Sequence, residues 1–584
     1  MPNDVLRQFV GGCGLGSWLL QAEGAARLDP LGPDAPLVFV FSPLVGSPLT
    51  TSAKFAVMAK SPLTERINDS LSSSHFAIAG KKTGHDAIVL VGAADQPTCV
   101  VIDDSSVRFE PASEVWGMSS HSAVERLRQT LGPRFRIAAI GPAGENLVRF
   151  ATISHDGRHA GRGGLGAVMG SKRLKAIAVS GSRQVEFANP GGLIAYARDL
   201  SKKSFGPATE KYRELGTVSN LLTFNRLGTL PTRNFQTGSF ESAAAIAPES
   251  LARDRDRTRA SCAACTIGCE HIFPIVNNAP STTGSESLSQ VRLEYESLFA
   301  LGSLCGIADP QVVLRAAALC DEFGLDTIST GGTIAFAMEC AENGLLKASG
   351  NLGFGNGEAF LSLISQIGRR EGLGELLSLG SRAAAQEIGQ GSEAFAAHVK
   401  GLEIPGYEPR AMQTMALGFA VGTRGADHNR SGAYQVDFSD KVDRLHVDES
   451  AVAHAIETEN ESTLMDSLIL CKFLRGVFDD KLGAMADMLH LVAGWEITVP
   501  ELVETANRIV TLKKQFNIAA GWTPVEDTLP ARFFDESLGT GEAGNPVARL
   551  TREQLQRLVT TYNTARRWTP DGWMRGEASV QSAK

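Results

Sequence analysis

Three closely spaced cysteines, Cys262, Cys265 and Cys269, form a C-x2-C-x3-C segment. Three thiolates so close together supply most of the ligands that a soft-metal site needs. Structural zinc sites usually combine two separated cysteine pairs, whereas a compact triplet completed by a distant cysteine suits an iron-sulfur cluster. The spacing therefore favours an iron-sulfur cluster and a redox enzyme, with structural zinc or three buried free cysteines as the alternatives.

Cys471 is the candidate for the missing fourth thiolate. It ends a segment that begins at Asp466 and lies far downstream of Cys269 in the chain. A cluster that joins the two segments closes a very long loop, so we expect folding to depend on the metal. The alternative is a core cysteine packed between Leu470 and Phe473.

A glycine-rich segment from Gly161 to Lys175 connects two predicted strands. Glycines let backbone N–H groups approach a phosphate, and the cations of the segment neutralise its charge. These cations are Arg162, Lys172, Arg173 and Lys175. Gly161, Gly163 and Gly166 also match the dinucleotide pattern G-x-G-x-x-G, but the next strand follows too soon for a crossover helix. An anionic cofactor is the favoured ligand, and a flexible loop is the alternative.

Two carboxylates, Asp321 and Asp326, flank a predicted helix end at Gly324, which is suited to a left-handed cap. Carboxylates only accept hydrogen bonds, so they suit a ligand edge rich in N–H donors, such as the aminopyrimidinone of a pterin. Ordinary helix capping is the alternative. The segment from Asp466 to Cys471 repeats this shape, with Ile469 in place of the glycine.

Two polar segments hold candidates for proton transfer. The segment 424–430 contains His428, and the segment 294–296 places Tyr295 beside Glu296. A histidine, a carboxylate and a phenol are common means of moving protons near neutral pH. Surface or capping roles are the alternative for each of them.

The chain of 584 residues is too long for one core. Short β-rich runs recur over 37–180, including 75–80, and helical spacing dominates after a turn-rich junction. We therefore predict an α+β fold with a polar loop at 277–287. Its domains are a β-rich N-terminal domain at 1–187 and two mainly helical domains at 188–400 and 401–584.

The composition disfavours several classes of function. A net charge of -8 offers no basic footprint for nucleic acid. No stretch approaches the roughly 18 uninterrupted apolar residues of a membrane span, and the N-terminus lacks the order of a signal peptide. Nine cysteines, an odd number, argue against a disulfide framework. We expect a cytoplasmic protein that acts on small molecules.

Taken together, these segments resemble the tungsten-dependent aldehyde ferredoxin oxidoreductase family. The match runs in order over nearly the whole chain. Its segments are KSPLT from Lys60, AGRGGLGAVMGSKRLKAIAV from Ala160, LPTRNFQ from Leu230, CAACTIGC from Cys262, LEYE from Leu293, DEFGLD from Asp321, KGLEIPGYEPRA from Lys400, RGADH from Arg424, the Asp466 to Cys471 segment, and FN-x4-W-x4-DTLPARF from Phe516.

The resemblance implies a saddle-like β domain and two helical domains that enclose a tungsten or molybdenum centre, bound by two pterins, beside one [4Fe-4S] cluster. The implied cluster ligands are Cys262, Cys265, Cys269 and Cys471. The implied pterin contacts are Asp321, Leu325, Asp326, Asp466 and Leu470. Gly161, Arg162 and Gly163 fall at the phosphate-binding segment, where the carbonyl of Ala160 is expected to help bind a magnesium ion. Lys54, which replaces a family arginine, and Arg430 are further expected cofactor contacts.

The resemblance also implies the reaction, which is oxidation of an aldehyde to a carboxylic acid. Glu296, with Tyr295, is expected to accept a proton, and protonated His428 to polarise the carbonyl. Electrons would leave through the cluster to ferredoxin or an iron-sulfur electron-transfer subunit, and the chain is compatible with an oligomer. The alternatives are a reductase subunit of the same family acting on an aromatic ring or acyl thioester, and a non-catalytic electron-transfer or zinc-stabilised binding protein.

Overall fold

The computed structural model describes residues 1–251, 257–275, 289–346, 352–539 and 547–575. The predicted polar loop at 277–287 lies outside these ranges. The strands of the N-terminal part are β1 (Leu37–Val40), β2 (Lys54–Lys60), β3 (Ile67–Ser73), β4 (Ala87–Leu90), β5 (Thr98–Asp103), β6 (Val107–Pro111), β7 (Arg136–Ala139), β8 (Ile153–His155), β9 (Arg158–Ala160) and β10 (Leu174–Ser180). Its helices are α1 (Asn3–Phe9), α2 (Gly12–Ala22), α3 (His75–Lys81), α4 (Ser120–Leu131), α5 (Pro142–Glu145) and α6 (Leu165–Ser171).

These strands form two sheets. One has the order β3-β2-β1-β4 and is antiparallel throughout. The other has the order β6-β5-β10-β7-β8-β9, in which only the β5 and β10 pair is parallel. The alternating side chains of a strand explain how the sheets pack. Leu37 and Phe39 of β1 face the core between the sheets, whereas Val38 and Val40 pack with α2.

The predicted strand at 75–80 is wrong, because this run forms helix α3. The Ser74 hydroxyl accepts a hydrogen bond from the backbone N–H of Phe76 at 3.1 Å and so caps the helix. Phe76 and Ala77 fill the core between the sheets. A short apolar run suits a buried strand or a buried helical turn equally well, so its pattern alone could not distinguish them.

The remainder of the chain is mainly helical. Its helices are α7 (Pro190–Ser204), α8 (Pro207–Leu215), α9 (Asn220–Arg226), α10 (Pro248–Leu251), α11 (Tyr295–Leu301), α12 (Pro310–Phe323), α13 (Thr327–Glu342), α14 (Gly357–Arg369), α15 (Leu373–Leu377), α16 (Ser381–Ile388), α17 (Gln413–Val421), α18 (His428–Ser431), α19 (Tyr434–Asp437), α20 (Ala451–Leu468), α21 (Lys481–Ala493), α22 (Val499–Ala519), α23 (Arg532–Asp535) and α24 (Arg552–Ala565). Its short strands are β11 (Thr258–Ala260), β12 (Glu270–Pro274), β13 (Gln290–Arg292), β14 (His398–Val399) and β15 (Leu402–Glu403). The predicted α+β class is therefore confirmed, whereas the domain boundaries stay predictions.

Glycines in α2 bring the N-terminal part against the end of α20. A Cβ atom on Gly12 would lie 2.4 Å from the carbonyl oxygen of Asp466, and the backbone N–H of Gly14 donates to the Ser467 hydroxyl at 3.2 Å. Such close approach requires residues without a side chain. This contact fixes the segment that carries Asp466 and Cys471. Among the described residues, no helix has the length and apolar character needed to cross a bilayer.

The packing of α3 predicts the effect of two phenylalanine substitutions. Phe76→Ala should lower the free energy of unfolding by roughly 3 to 5 kcal/mol, because it removes a fully buried ring from a close-packed core. Phe109→Ala, at a side chain that is 69% exposed, should change it by less than about 0.5 kcal/mol. Urea unfolding followed by circular dichroism measures both values, and equal losses in the two variants would contradict the packing of α3.

Candidate active site

A cavity of about 420 Å³ lies between the N-terminal sheets and the helices. Its lining combines residues from both parts of the chain. The predicted site residues on its wall are Lys54, Gly161, Arg162, Cys262, Cys269, Glu296, Asp321, Leu325, Asp326, His428, Arg430, Asp466 and Cys471. The other predicted site residues are not part of this lining, and they are Ala160, Gly163, Cys265, Tyr295 and Leu470.

The four predicted cluster cysteines lie near one another at the cavity. Cys262, Cys269 and Cys471 line it. Cys265 lies beside Cys262, and this contact, burial and the charge of Cys471 raise the pKa of Cys265. Burial, followed by Cys471, raises the pKa of Cys269. Across the described ranges, no three histidine, cysteine or acidic side chains converge on a position for a single metal ion. Three thiols on the cavity wall, with a fourth beside Cys262, are a suitable donor set for a soft-metal cluster.

The local backbone explains how the cysteine triplet is positioned. Ala264 and Gly268 adopt left-handed conformations, with φ of 51° and 64°, so the loop turns sharply between the cysteines. The backbone N–H of Thr51 donates to the Ala264 carbonyl at 2.7 Å, and the hydroxyls of Thr50 and Thr266 are 2.8 Å apart. The cysteine loop is therefore anchored to the segment that precedes β2.

The two aspartate segments end helices in the same way. Helix α12 ends at Gly324 in the left-handed region (φ 76°, ψ 53°), which confirms the predicted cap. Asp326 then caps α13, and its carboxylate accepts from the Ser329 N–H at 3.1 Å. Helix α20 ends at Ile469, also in the left-handed region (φ 63°, ψ 36°). The capping interpretation of Asp326 is thus confirmed, while its carboxylate also lies on the cavity wall.

A network of buried charges holds the second aspartate segment. Asp466 lies 3.0 Å from Arg430 Nη1 and 2.9 Å from Lys472 Nζ. Arg430 also reaches Asp69 of β3, with 2.9 Å between Nε and Oδ2, and Lys513 Nζ lies 3.2 Å from the same oxygen. These cations keep the pKa of Asp69 well below its usual range despite burial, which acts in the opposite direction. The network links β3, α18, α20 and α22 around the cavity.

The glycine-rich segment differs in part from its prediction. Arg162 lines the cavity, donates to the Ala426 carbonyl at 2.7 Å and lies near Asp326. The prediction that four cations would share one phosphate is wrong. Lys172 donates to the carbonyls of Pro33 and Gly92, Lys175 pairs with Glu145, and Arg173 donates to the Asp95 carbonyl. The short helix α6 connects β9 to β10, which run in opposite directions within the sheet, so this is not a dinucleotide-binding crossover.

Glu296 and His428 face each other on the cavity wall. Glu296 Oε1 lies 3.5 Å from His428 Nε2, and the backbone N–H of Gly406 donates to Glu296 Oε2 at 3.0 Å. His428 begins α18, which is capped by Asp427, and Asp427 in turn pairs with Arg424 at 2.9 Å. The Gly406 N–H therefore holds the Glu296 carboxyl group, and the Asp427 cap fixes the start of the helix that carries His428.

Burial favours the neutral forms of this pair. It raises the pKa of Glu296 to about 8, although the N–H of Gly406 acts to lower it. It lowers the pKa of His428 to about 3, although the charge of Asp427 acts to raise it. Near neutral pH the carboxyl group therefore carries the proton and the imidazole is neutral. This is the reverse of the expectation from the sequence, in which Glu296 accepts a proton and His428 is protonated.

Tyr295 does not reach the cavity. Its ring is buried against Phe224 and Phe299, and its hydroxyl donates to the Gly406 carbonyl at 2.6 Å. Burial raises the pKa of Tyr295 well above its usual value. The structure does not support the predicted proton-transfer role for this phenol, which instead holds the Gly406 peptide that contacts Glu296.

The sequence interpretation missed several charged residues at the site. Asp69 lies in a polar strand that had no strand signal, and Arg292 lies in the short strand β13. Arg158 and His159 directly precede the glycine-rich segment. His159 bridges Thr152 Oγ1 at 2.8 Å and Asp321 Oδ1 at 3.1 Å. Isolated charges in β segments resemble ordinary surface residues, so only their position next to a motif could have indicated them.

Comparison with known proteins gives a consistent result. The family model "Aldehyde ferredoxin oxidoreductase, N-terminal domain" matches residues 1–181, and "Aldehyde ferredoxin oxidoreductase, domains 2 & 3" matches 195–580. The tungsten-containing aldehyde ferredoxin oxidoreductase of Pyrococcus furiosus is 36% identical, over 98% of this chain and 93% of that protein. The WOR-like subunit of the aliphatic sulfonate oxidoreductase from the same organism is 28% identical, over 96% and 90%.

A solved structure has the same fold. It is the active-site complex BamBC of benzoyl coenzyme A reductase with 1,5-dienoyl-CoA, with a TM-score of 0.80 at 23% identity. The likeness covers 98% of this chain and 92% of that chain.

The burial of Glu296 predicts a pH-dependent stability difference. From its usual pKa of 4.5 up to about 8, the folded chain holds a proton that the unfolded chain releases, so stability falls as pH rises through this window. Glu296→Gln removes this dependence. As pH rises from 5 to 8, the free energy of unfolding of the variant should increase by roughly 2 to 5 kcal/mol relative to that of the natural chain. Thermal or urea unfolding at several pH values measures the difference.

Glu114→Gln is the matched control, because the Glu114 side chain is 85% exposed and its partner is an arginine, Arg126. It should leave the difference from the natural chain constant with pH. Parallel pH profiles for Glu296→Gln and the natural chain would contradict a protonated Glu296.

Proposed function

The chain belongs to the aldehyde ferredoxin oxidoreductase family, and from this premise we propose that it oxidises aldehydes to carboxylic acids at a tungsten centre. The electrons would pass through a [4Fe-4S] cluster to ferredoxin or a partner subunit. The observation that carries the proposal is a single cavity whose wall includes three of the four candidate cluster thiols, both aspartate segments and the pair of Glu296 and His428.

The lining suits a large anionic cofactor. A Cβ atom on Gly161 would meet only an Asp326 oxygen, at 4.0 Å, so open space lies beyond this backbone. Within the described residues, the buried Nε atoms of Arg162 and Arg424 have no hydrogen-bond partner. Arg162 and the N–H groups around Gly161 would bind the phosphates of the cofactor. Asp326 and Asp466 would accept hydrogen bonds from the pterin edges. Magnesium at the Ala160 carbonyl is part of the same proposal.

A pterin-bound tungsten centre supplies the two-electron redox change that protein side chains lack. Oxidation of an aldehyde with water to a carboxylic acid releases two electrons and two protons. Side chains of the protein would bind and transfer the protons. Protonated Glu296 would donate a hydrogen bond from Oε1 to the aldehyde oxygen. Neutral His428 would accept one proton transiently at Nε2 and pass it to solvent, which also receives the second proton. Gly406 holds Glu296 in place through its N–H.

The experiment that tests the function is anaerobic purification followed by metal analysis and an aldehyde panel with a redox dye. The proposal predicts tungsten or molybdenum, about four irons per chain and aldehyde-dependent dye reduction. Reduction of an aromatic thioester without aldehyde oxidation would favour the reductase alternative. A protein without tungsten, molybdenum or pterin would favour the non-catalytic alternative.

Two glycines provide a test of the cofactor position. Gly161→Ala should fold with an unchanged melting temperature but bind at least tenfold less tungsten, because the added methyl group projects into the cavity. Gly163→Ala should lower the melting temperature, because Gly163 has a φ of 86° and its Cβ atom would lie 2.1 Å from Asn68 Oδ1. Metal analysis and thermal unfolding measure both effects. Full tungsten content in Gly161→Ala would argue against a cofactor at this backbone.

His428 provides a test of the proton-transfer role. His428→Asn keeps a polar side chain but cannot accept a proton, so kcat should fall about 10²- to 10⁴-fold while tungsten and iron contents stay unchanged. His446→Asn, at a side chain that is 76% exposed, is the control and should retain full turnover. Steady-state kinetics with metal analysis measure both variants. Unchanged turnover in His428→Asn would remove His428 from the mechanism.

A further inference from the structure

Two arginines outside the predicted site, Arg158 of β9 and Arg292 of β13, lie on the cavity wall beside the cysteines. Both contact the carboxylate of Glu270, the residue that directly follows Cys269. Arg158 Nη2 pairs with Glu270 Oε1, and Arg292 Nη2 lies 2.8 Å from Oε2. The Glu270 side chain is only 3% exposed. A buried carboxylate held by two guanidinium groups leaves each of them little freedom to move.

The same carboxylate touches one of the candidate cluster ligands. Cys262 Sγ lies 3.5 Å from Glu270 Oε1. Arg158 interacts electrostatically with Cys262, Cys269 and Cys471, which are three of the four thiols. Its Nε atom is buried and has no hydrogen-bond partner among the described residues. The guanidinium therefore keeps one N–H donor that Glu270 does not engage.

Other charged side chains also lie near the thiols. Lys54 lines the cavity and interacts with Cys262, although less strongly than Arg158 does. Glu294 lies on the same wall and interacts with both arginines. Arginine keeps its charge at all pH values at which proteins fold. Arg158 thus supplies a constant positive charge at the thiols.

We propose that the positive charge of Arg158 raises the reduction potential of the cluster. The inference rests on the proposed function for the presence of that cluster. Reduction adds one negative charge to the cluster, and a fixed positive charge stabilises the reduced form, more strongly in a buried site than in water. Net charge and hydrogen bonds to sulfur are among the factors that set such potentials. Arg158 supplies the charge, and Glu270 and Arg292 fix its position.

The test is a redox titration of the cluster in the anaerobic holoenzyme, followed by electron paramagnetic resonance. Arg158→Gln should favour the oxidised form at least tenfold at a given applied potential, which corresponds to a midpoint 59 mV lower for a one-electron couple. Arg158→Lys keeps the charge and should show a smaller shift. Arg173→Gln changes the net charge equally at an exposed position and should leave the midpoint unchanged.

Glu270→Gln provides a second variant with the opposite expectation. It removes the negative charge beside Cys262, so the midpoint should rise. If Arg158→Gln does not retain iron, Arg158→Met removes the same charge and should show the same downward shift. A midpoint equal to that of the natural chain in an iron-containing variant that lacks the Arg158 charge would overturn the inference, whatever Glu270→Gln shows. Absence of the signal from the natural chain would instead overturn the cluster assignment in the proposed function.

Discussion

The site depends on one constraint, which is that the end of α20 must lie against the cysteine loop. Cys471 reaches this position because the chain leaves α20 through the left-handed Ile469. Leu468, Leu470 and Leu474 share a core with Ile267 of the cysteine loop. Displacement of this helix end would separate Cys471 from the other thiols and would also move Asp466 away from Arg430. The thiol site and the cofactor cavity are therefore coupled through one segment.

Paired buried charges hold the rest of the cavity. Asp69, Asp427 and Asp466 each contact at least one arginine, and the partners come from different secondary-structure elements. A buried ion pair adds little net stability, because desolvation offsets most of the attraction, but removal of one partner leaves an uncompensated charge. We infer that these networks fix the shape of the cavity more than they stabilise the fold. The same reasoning applies to Arg158 and Glu270 at the thiols.

The sequence predicted features that are encoded locally. The cysteine spacing, the helix end at Gly324 and the change from β-rich to helical segments depend on neighbouring residues, so they were visible without the structure. The partners of Lys172 and Lys175 could not be predicted from the sequence, because both side chains are buried against distant segments of the chain. The proton positions on Glu296 and His428 were also beyond the sequence, since they follow from burial. The helix at 75–80 was missed because short apolar runs fit either structure.

Iron content is the most direct measure of the central claim, which is that thiols from two remote segments bind one cluster. The account predicts about four irons per chain in the natural protein and a loss of most of them in Cys471→Ser. Cys340→Ala, at a buried cysteine in α13, should retain the full iron content. Four irons in Cys471→Ser, with an unchanged cluster spectrum, would contradict the account.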